Sequence, residues 1–453
     1  MTADTPDRLI SFYGDDFTGS SSAMEVLAFA GVPTVMFLEP PGPDELARFP
    51  DVRAIGIAGV ARSRTPEWMR TRLPDAFRAL ADFGAPVAHY KVCSTFDSSP
   101  TVGSIGTAID VGAPILGNRW HPLVVGAPAI RRYQAFGNLF AGIDSRVHRL
   151  DRHPVMRRHP VTPMDESDLT VHLARQTDRS IGLVDLASMA AGDADTCLAG
   201  ALADGAEIVA IDVIDDTTLT EAGRLIWRDG HGPVFAVGSQ GIEYALVAHW
   251  RAIGLLPSTV ETPTFAPVDQ ILCVSGSCSS VTAAQIATAA AAGFTIIDLD
   301  VTRSVDEATW AEELSRATEA TFAALAGGND VIVATAGGPI DEATARLTDA
   351  LRVSGVAAET ANDRIGSGLG RIVADVRRTT RLPRVAIAGG DTSGHAITAL
   401  DATALSAIAP LAPGAPLCAV HSDDADIDGL EVTLKGGQMG SADFFELAKR
   451  GLA

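Results

Sequence analysis

The chain has 453 residues, 47% of them hydrophobic, and a formal net charge of -21 at pH 7. Its length predicts two or three domains, and its negative charge argues against nucleic-acid binding, which requires basic patches. The five cysteines are scattered without metal-ligand spacing, and we find neither a signal segment nor an apolar run of membrane-spanning length, so we expect a cytoplasmic protein without membrane contacts.

In the first half of the chain, short apolar runs alternate with amphipathic stretches such as 66–83. This alternation predicts βαβ units and therefore a mostly parallel sheet that is covered by helices on both faces. The predicted strands are 9–13, 34–38, 54–58, 87–92, 123–126, 181–185, 208–213 and 234–237.

The segment 256–270 carries three prolines and no periodicity, and we expect it to be a linker. After it the pattern restarts with a strand, a Gly/Ser loop and an Ala-rich helix. The predicted organisation is therefore two α/β domains, 1–255 and 271–453. Further strands are predicted at 295–299, 330–334, 384–388 and 417–420.

The first predicted strand runs directly into Asp15 and Asp16. Ligands of open α/β sheets bind beyond the carboxyl ends of the strands, so this pair is a candidate to bind substrate hydroxyls, to accept a proton or to hold Mg²⁺. A helix N-cap explains one of the two carboxylates and leaves the other unexplained. We therefore predict Asp16 and Asp15 as catalytic residues.

Lys91 stands at the end of the fourth predicted strand, followed by several hydroxyl groups and an aspartate. A cation flanked by hydroxyls suits a carboxylate or phosphate ligand, and the alternative is an ordinary turn with a surface lysine. A Gly-Ser pair after the strand 234–237 is a weaker candidate anion site, and the carboxylates of 212–216 are better explained by solvation and helix capping. The predicted substrate-binding residues are Lys91, Ser94, Thr95, Asp97, Ser98, Gly238 and Ser239.

Glycine-rich loops follow the strands of the second domain, at 274–280, 335–339, 387–397 and 434–445. Glycine lets backbone N–H groups approach an anion, and helix N-termini favour its negative charge. Several such loops in one domain predict the phosphate chain of a nucleotide, although neither a P-loop nor a dinucleotide fingerprint is present. The predicted nucleotide-binding residues are Ser275, Ser277, Gly338, Gly389, Gly390, Asp391, Thr392, Ser393 and Gly437.

Over essentially its whole length the chain resembles the four-carbon acid sugar kinase family. The segment 15–19 (DDFTG) matches the first motif of that family, 275–279 (SGSCS) and 389–394 (GGDTSG) match its nucleotide domain, and 435–440 (KGGQMG) stands at its last glycine motif. The resemblance implies an N-terminal acid-sugar-binding domain and a C-terminal nucleotide-binding domain. It also implies ATP and Mg²⁺, with unassigned metal ligands, and phosphoryl transfer to a hydroxyl of a sugar acid.

One motif departs from the family pattern. Where relatives read Lys-Lys-Ile-Asp-Ser-Thr-Leu-Arg-Gly, this chain reads KVCSTFDS at 91–98, so that Cys93 replaces the Asp and the Arg position falls at or beside Asp97. We expect Lys91 to face the substrate carboxylate and Cys93 and Phe96 to form a less polar wall. The variant resembles the branch that acts on 3-oxo-isoapionate, a branched sugar acid.

Other functions stay open at this point. Within the family the alternative is a 3-oxo-tetronate or threonate kinase. From other classes the alternatives are a metal-dependent sugar-acid isomerase or aldolase, and a non-catalytic nucleotide- or sugar-sensing protein. The expected partners are a small sugar acid and ATP, with homodimer formation left open.

Overall fold

The computed structural model describes residues 6–452 except 118, 144, 160, 228–232 and 337–339. The chain divides into two compact units, one ending at Val260 and the other beginning at Glu261. This division lies inside the segment 256–270. No helix within the described ranges is both long enough and apolar enough to cross a membrane.

Unit 1 comprises the described residues up to Val260. Its strands are β1 (Ile10–Gly14), β2 (Thr34–Phe37), β3 (Ala54–Ala58), β4 (Val87–Lys91), β5 (His121–Val124), β6 (Arg132–Ala135), β7 (Asn138–Ile143), β8 (Arg146–Arg149), β9 (Ile181–Val184), β10 (Ile208–Ile211) and β11 (Val234–Gly238). Its α-helices are α1 (Phe17–Phe29), α2 (Pro43–Ala47), α3 (Pro66–Phe83), α4 (Ile105–Leu116), α5 (Leu169–Leu173), α6 (Leu186–Ala190), α7 (Ala194–Ala203), α8 (Asp216–Ile226) and α9 (Gly241–Ala252).

Eight strands of unit 1 form a parallel sheet in the order β2-β3-β1-β4-β11-β5-β10-β9. The predicted strands coincide with these eight to within two residues at either end. They were recognisable because strands covered on both faces are apolar throughout. The strand order reverses between β1 and β4, because β2 and β3 lie on one side of β1 and the later strands lie beyond β4 on the other side. Ligand-binding crevices form at such a reversal point, beyond the carboxyl ends of the strands.

Helix α3 illustrates how the local sequence sets the bounds of an element. The hydroxyl of Thr65 caps its first turn by accepting from the backbone of Trp68 at 3.4 Å, and Pro66 follows in the first helical position. Gly84 ends the helix in the left-handed region at φ +73°. The helix therefore occupies the predicted amphipathic stretch.

A second, antiparallel sheet of unit 1, in the order β6-β7-β8, was not predicted. Its strands are short, only partly buried and rich in arginine, so no apolar run marks them. Asp212 holds the turn between β6 and β7, because its carboxylate accepts from the backbone N–H groups of Phe136 at 2.5 Å and Gly137 at 3.0 Å. The expectation of solvation is therefore wrong for Asp212, which is fully buried, whereas Asp215 caps α8 as the sequence interpretation expected.

Unit 2 comprises the described residues from Glu261 onward. Its strands are β12 (Leu272–Ser275), β13 (Thr295–Asp298), β14 (Val331–Ala334), β15 (Arg384–Ala388), β16 (Ala402–Ala412), β17 (Ala415–Ser422) and β18 (Glu431–Lys435). Its α-helices are α10 (Ser280–Ala291), α11 (Glu307–Ala326), α12 (Ile340–Ser354), α13 (Ala358–Thr380), α14 (Gly390–Thr398) and α15 (Phe444–Arg450).

The sheet of unit 2 has the order β13-β14-β12-β15-β18-β17-β16. The pairs from β13 to β18 are parallel, and β17 pairs antiparallel with both β18 and β16. The reversal point lies between β12 and β15, so the loops after these two strands meet at one edge. The predicted class, two α/β units with mostly parallel sheets, is confirmed.

Candidate active site

The two aspartates that follow β1 have different environments. Asp16 caps α1, since its Oδ1 accepts from the backbone of Gly19 at 2.9 Å, and its Oδ2 lies 2.9 Å from a guanidinium nitrogen of Arg62. Asp15 is 2% exposed, and its Oδ1 has no hydrogen-bond partner among the described residues. The capping interpretation therefore applies to Asp16, and Asp15 is the carboxylate left available for chemistry.

The buried position of Asp15 changes its acidity. Burial, and then the charge of Asp16, raises the pKa of Asp15 to about 8, although Arg62 and Lys91 oppose the rise. A carboxyl group with this pKa exchanges its proton close to neutral pH, as a general acid or base must. Perturbed carboxylates concentrate at functional sites, although structural ion-pair networks also produce them.

Arg62 is a cation that the sequence analysis did not single out. It follows β3, its backbone N–H donates to the carbonyl of Asp15 at 2.9 Å, and its side chain is 34% exposed. Because β3 lies beside β1 and parallel to it, the loops after both strands lie at the same edge of the sheet. A search for polar side chains after the strand 54–58 would have found it.

Lys91 ends β4, in register with Gly14 of β1, and is 2% exposed. A Cβ atom on Gly19 would collide both with Lys91 Nζ and with Asp16 Oδ1. Glycine at position 19 therefore leaves the space in which the lysine approaches the aspartates. The structure places Lys91 with the two carboxylates.

Three side chains in the loop after β4 form a hydrogen-bonded chain. Thr95 donates to Asp97 Oδ1 at 2.7 Å, so the contact of 3.1 Å between Cys93 Sγ and Thr95 Oγ1 has the thiol as donor. Burial, and then the charge of Asp97, raises the pKa of Cys93 to about 12, which keeps the thiol protonated. Burial acts to raise the pKa of Asp97, but Arg62 and the Thr95 hydroxyl together lower it, so Asp97 is an ionised acceptor.

Two other residues of this loop point into the protein. The Ser98 hydroxyl is buried, donates to Phe96 O at 3.0 Å and lies 3.0 Å from His172 Nε2. The expectation that Phe96 forms a wall of the sugar pocket is wrong, because its ring is fully buried in the core against His172. Its backbone is left-handed at φ +55°, which turns the ring inward.

Arg132 of β6 is the second cation that the sequence analysis missed. Its Nε donates to the hydroxyl of Ser94, one of the predicted substrate-binding residues, at 3.2 Å. No sequence signal pointed to it, because the antiparallel sheet that carries it was not predicted.

Gly238 and Ser239 have structural contacts. The Ser239 hydroxyl donates to the carbonyl of Val125 at 2.8 Å and accepts from the backbone of Gly241 at 3.0 Å, at the start of α9. A Cβ atom on Gly238 would collide with the carbonyl oxygen of Val124 on β5. Substrate binding by either residue stays a prediction.

A buried hydrogen-bonded histidine–glutamate pair lies beneath these loops. His89 Nδ1 is 2.6 Å from Glu243 Oε1, and both side chains are fully buried. His89 Nε2 is 3.1 Å from the carbonyl oxygen of Gly238, which also accepts from the backbone of Val92 at 2.7 Å. The pair therefore joins β4, β11 and α9 directly below the strand ends.

We expect Glu243→Ala to lower the free energy of unfolding by about 1–3 kcal/mol, because it leaves the buried ring nitrogen of His89 without its hydrogen-bond partner. Asp75→Ala is the matched control, since Asp75 pairs with Arg78 at the surface and both side chains are more than half exposed. Its expected cost is below about 1 kcal/mol. Urea unfolding of the full chain measures both, and equal small losses would contradict the prediction.

In unit 2, the loops after β12, β15 and β18 converge. Thr392 Oγ1 lies 2.7 Å from the position of a Cβ atom on Gly389, whose φ of +129° requires glycine, and a Cβ atom on Gly276 would collide with the same oxygen. Ser277 Oγ lies 2.8 Å from the Cβ position of Gly437. The glycines thus allow three backbone segments to pack closely at the N-termini of α10 and α14.

The remaining predicted residues of this unit have mixed positions. Ser275 is buried at the end of β12, and Gly390 is the first residue of α14. Ser393 is buried and donates to the carbonyl of Gly389 at 2.6 Å, which closes the first turn of α14. Gly338 and the side chain of Asp391 lie outside the described residues.

Lys435, the last residue of β18, begins the glycine motif 435–440 and is not among the predicted site residues. Its side chain is 1% exposed, and its Nζ donates to Thr282 Oγ1 at 2.9 Å and to Gly436 O at 3.2 Å. Burial lowers its pKa to about 8, and no carboxylate within the described ranges forms an ion pair with it. A buried ammonium group without a counter-ion, beside glycine loops, is a candidate phosphate ligand.

A protein cage for a metal ion is absent from the described residues, which contain no group of three or more His, Cys, Asp or Glu side chains arranged to hold one. Mg²⁺ in phosphoryl-transfer sites is held largely by phosphate and water, so it needs few protein ligands. The requirement for Mg²⁺ stays a prediction, and we assign no protein ligand to it.

A cavity of about 860 Å³ in unit 1 lies elsewhere, between α6 and the start of α8. Its lining carries acidic side chains and no lysine or arginine, and the carboxylate of Asp215 is used to cap α8. An anionic ligand would be repelled there, so the charged cluster after β1, β3 and β4 is the better candidate.

Comparison with known proteins shows a different binding domain in each unit. A family model described as a sugar-binding N-terminal domain matches residues 10–246, and one described as a nucleotide-binding C-terminal domain matches residues 272–445. The 3-oxo-isoapionate kinase of Paraburkholderia graminis is 49% identical over 98% of this chain and 94% of that protein. A 3-oxo-tetronate kinase of Methylobacterium radiotolerans is 31% identical over 95% of this chain and 96% of that protein.

Among solved structures, a Haemophilus influenzae protein superposes with a TM-score of 0.74 at 23% identity, covering 97% of this chain and 98% of that one. At this identity the likeness concerns the fold alone. The two domain matches and the relatives of high coverage show that the chain belongs to the four-carbon acid sugar kinase family.

Proposed function

We propose that the protein is an ATP-dependent kinase that phosphorylates a hydroxyl group of a small sugar acid, with 3-oxo-isoapionate as its preferred substrate. The observation that carries this proposal is the 49% identity, over 98% of the chain, to a protein named for that reaction. The relatives named 3-oxo-tetronate kinases support the same reaction class and define the alternative substrate.

Asp15 takes the role of proton acceptor. Its carboxylate is buried, lacks a hydrogen-bond partner at Oδ1 and has a pKa raised to about 8, so it can take up a proton close to neutral pH. The hydroxyl of the substrate would lose its proton to Asp15 as it attacks the γ-phosphate. Both carboxylate oxygens of Asp16 already have partners, one as a helix cap and the other in an ion pair. We therefore assign the role of proton acceptor to Asp15 and not to Asp16.

Phosphoryl transfer depends mainly on positioning and on neutralisation of charge. Lys91 and Arg62 offset the aspartates and favour the ionised form of Asp15. In unit 2, Lys435 and the glycine loops at Gly276, Gly389 and Gly437 would hold the phosphate chain of ATP. Bound Mg²⁺ would add charge neutralisation there. The sugar acid and ATP are the partners that this activity requires, and homodimer formation and a cytoplasmic location stay predictions.

We expect kcat/KM for 3-oxo-isoapionate to exceed that for D- or L-threonate and for linear 3-oxo-tetronates by about tenfold or more. A site can discriminate to this extent because the wrong acid leaves buried polar groups of the protein without hydrogen-bond partners. Steady-state rates of ADP formation with each acid, at saturating Mg²⁺ and ATP, measure it. Preference for a linear acid would contradict the substrate assignment while leaving the kinase class intact. Binding of ATP and acid without turnover of any acid would favour the sensing alternative.

A further inference from the structure

The guanidinium group of Arg132 is oriented by neutral partners. Its Nε donates to Ser94 Oγ at 3.2 Å, and its Nη1 donates to the carbonyl oxygens of Ile130 at 3.2 Å, Arg131 at 3.3 Å and Gly142 at 3.3 Å. These bonds use the donors of Nε and Nη1. Within the described part of the chain no acceptor contacts Nη2, so its two donors remain for a ligand.

No carboxylate among the described residues forms an ion pair with this half-buried cation. Burial lowers the pKa of Arg132, and the nearby Cys93 and Arg131 change it less. A desolvated charge without a counter-ion is costly, so the side chain gains from any anion that binds to it.

The other cations of the site already have anionic neighbours. Arg62 contacts Asp16 at 2.9 Å and lowers the pKa of Asp97, and Lys91 opposes the rise in the pKa of Asp15. A substrate carboxylate at Lys91 or Arg62 would compete with these aspartates. Arg132 offers its charge without such competition.

The hairpin that carries Arg132 is held in place before any ligand binds. Gln134, two residues further along β6, is fully buried; its Oε1 accepts from the backbone of Val125 at 2.9 Å and its own N–H donates to Val213 O at 2.8 Å. Asp212 fixes the turn at the end of β6. A pre-organised cation loses little conformational freedom when it binds an anion.

We infer that Arg132 binds the carboxylate of the sugar acid through Nη2, together with the hydroxyl of Ser94, and that Lys91 serves the aspartates instead. Ser94 Oγ accepts the Nε proton, so its own proton is free to be donated to the same carboxylate. Ser94, which Arg132 contacts, belongs to the loop that begins directly after Lys91, and Lys91 lies in register with Gly14, the residue before Asp15. This inference names the carboxylate subsite of the proposed kinase and rests on that proposed function.

Arg132→Gln tests the inference. We expect the Kd for 3-oxo-isoapionate, measured by calorimetry on the full chain without ATP, to rise about 10- to 100-fold, as loss of a charge-assisted hydrogen bond predicts. The Kd for ADP should stay within about twofold. The parent protein should prefer the acid to its carboxamide, and the variant should lose that preference, which a merely structural role of Arg132 would not produce.

Arg152→Gln is the matched control, because Arg152 belongs to the same unit and its side chain is 73% exposed. Ser94→Ala is a second test that leaves the bonds of Arg132 Nη1 to the hairpin intact. It removes the hydroxyl that would donate to the same carboxylate, so the Kd for the acid should again rise while the Kd for ADP does not.

An unchanged Kd for the acid and an unchanged preference over the carboxamide in Arg132→Gln would overturn the inference. If Arg132→Gln does not fold, the Kd of Ser94→Ala for the acid decides, and an unchanged value would overturn the inference. A parent protein that binds the acid but never phosphorylates it would overturn the proposed kinase and leave the carboxylate subsite standing. A parent protein that binds no sugar acid would overturn both.

Discussion

Asp15→Asn is expected to lower kcat by about 10²–10⁴-fold, the usual contribution of a general base, and to leave the Kd for ADP unchanged. The amide has the shape of the carboxyl group, so the buried position stays filled, but it cannot accept the proton of the substrate hydroxyl. Steady-state kinetics and ADP calorimetry on the full chain measure the two effects. A loss of only a few-fold would remove Asp15 from the chemistry.

Asp16→Asn provides the comparison. Asparagine caps helices about as well as aspartate, so α1 should persist, and the change removes the ion pair to Arg62, whose side chain is one-third exposed. We therefore expect a smaller loss of kcat than in Asp15→Asn. The opposite order of the two losses would return the proton-accepting role to Asp16.

The pH dependence separates the roles further. In the parent protein kcat/KM should rise with pH and level off above about pH 8, as Asp15 becomes ionised in the free enzyme. This limb should be missing from the residual activity of Asp15→Asn. If kcat/KM of the variant still rose with pH around the same midpoint, the titrating group would be a residue other than Asp15.

Ionisation of Asp15 should raise activity with pH but lower the free energy of unfolding. The pKa of Asp15 in the folded protein, about 8, lies above its usual value of 3.8, so folding takes up a proton between these values. Its stabilising contribution is complete below about pH 4 and is lost as the pH rises through 8. Urea unfolding at pH 6 and pH 9 should therefore show a smaller decrease for Asp15→Asn than for the parent.

Lys435→Met is expected to weaken ADP binding by about 10- to 100-fold, because it removes a buried cation that would contact a phosphate. Methionine can fill the apolar space beside Phe444, whose ring centre lies 5.7 Å from Lys435 Nζ. The chain has only three lysines, and Lys449→Met is the matched control, because Lys449 is partly exposed and pairs with Asp330 at 2.7 Å. Calorimetric titration with ADP compares the variants with the parent.

The depressed pKa of Lys435 adds a pH signature to this second prediction. Burial lowers the pKa to about 8, so the free protein loses this charge as the pH rises through 8, and a phosphate ligand prefers the charged form. ADP affinity of the parent should therefore fall above about pH 8, whereas that of Lys435→Met should stay level. Parallel curves for the two proteins would show that Lys435 does not contact the nucleotide.

Much of the candidate site could be predicted because polar residues directly after buried strands must lie at one edge of a parallel sheet. This rule found Asp15, Asp16 and Lys91 in unit 1, and the glycine loops at 275–279 and 389–393 in unit 2. The rarity of lysine is a further signal, because two of the three lysines are buried at these strand ends. Lys91 was among the predicted site residues, and Lys435 was not.

The sequence by itself determined the two α/β units and their parallel strands, because a strand covered on both faces must be apolar throughout. It could not decide which of two adjacent aspartates caps α1 and which stays unpaired, since that depends on side-chain direction and on the approach of Arg62 from another loop. It could not show Arg132 either, because β6 is short, half-buried and charged. Contacts with Val213 and Asp212, more than 70 residues further along the chain, hold that strand and its turn in place.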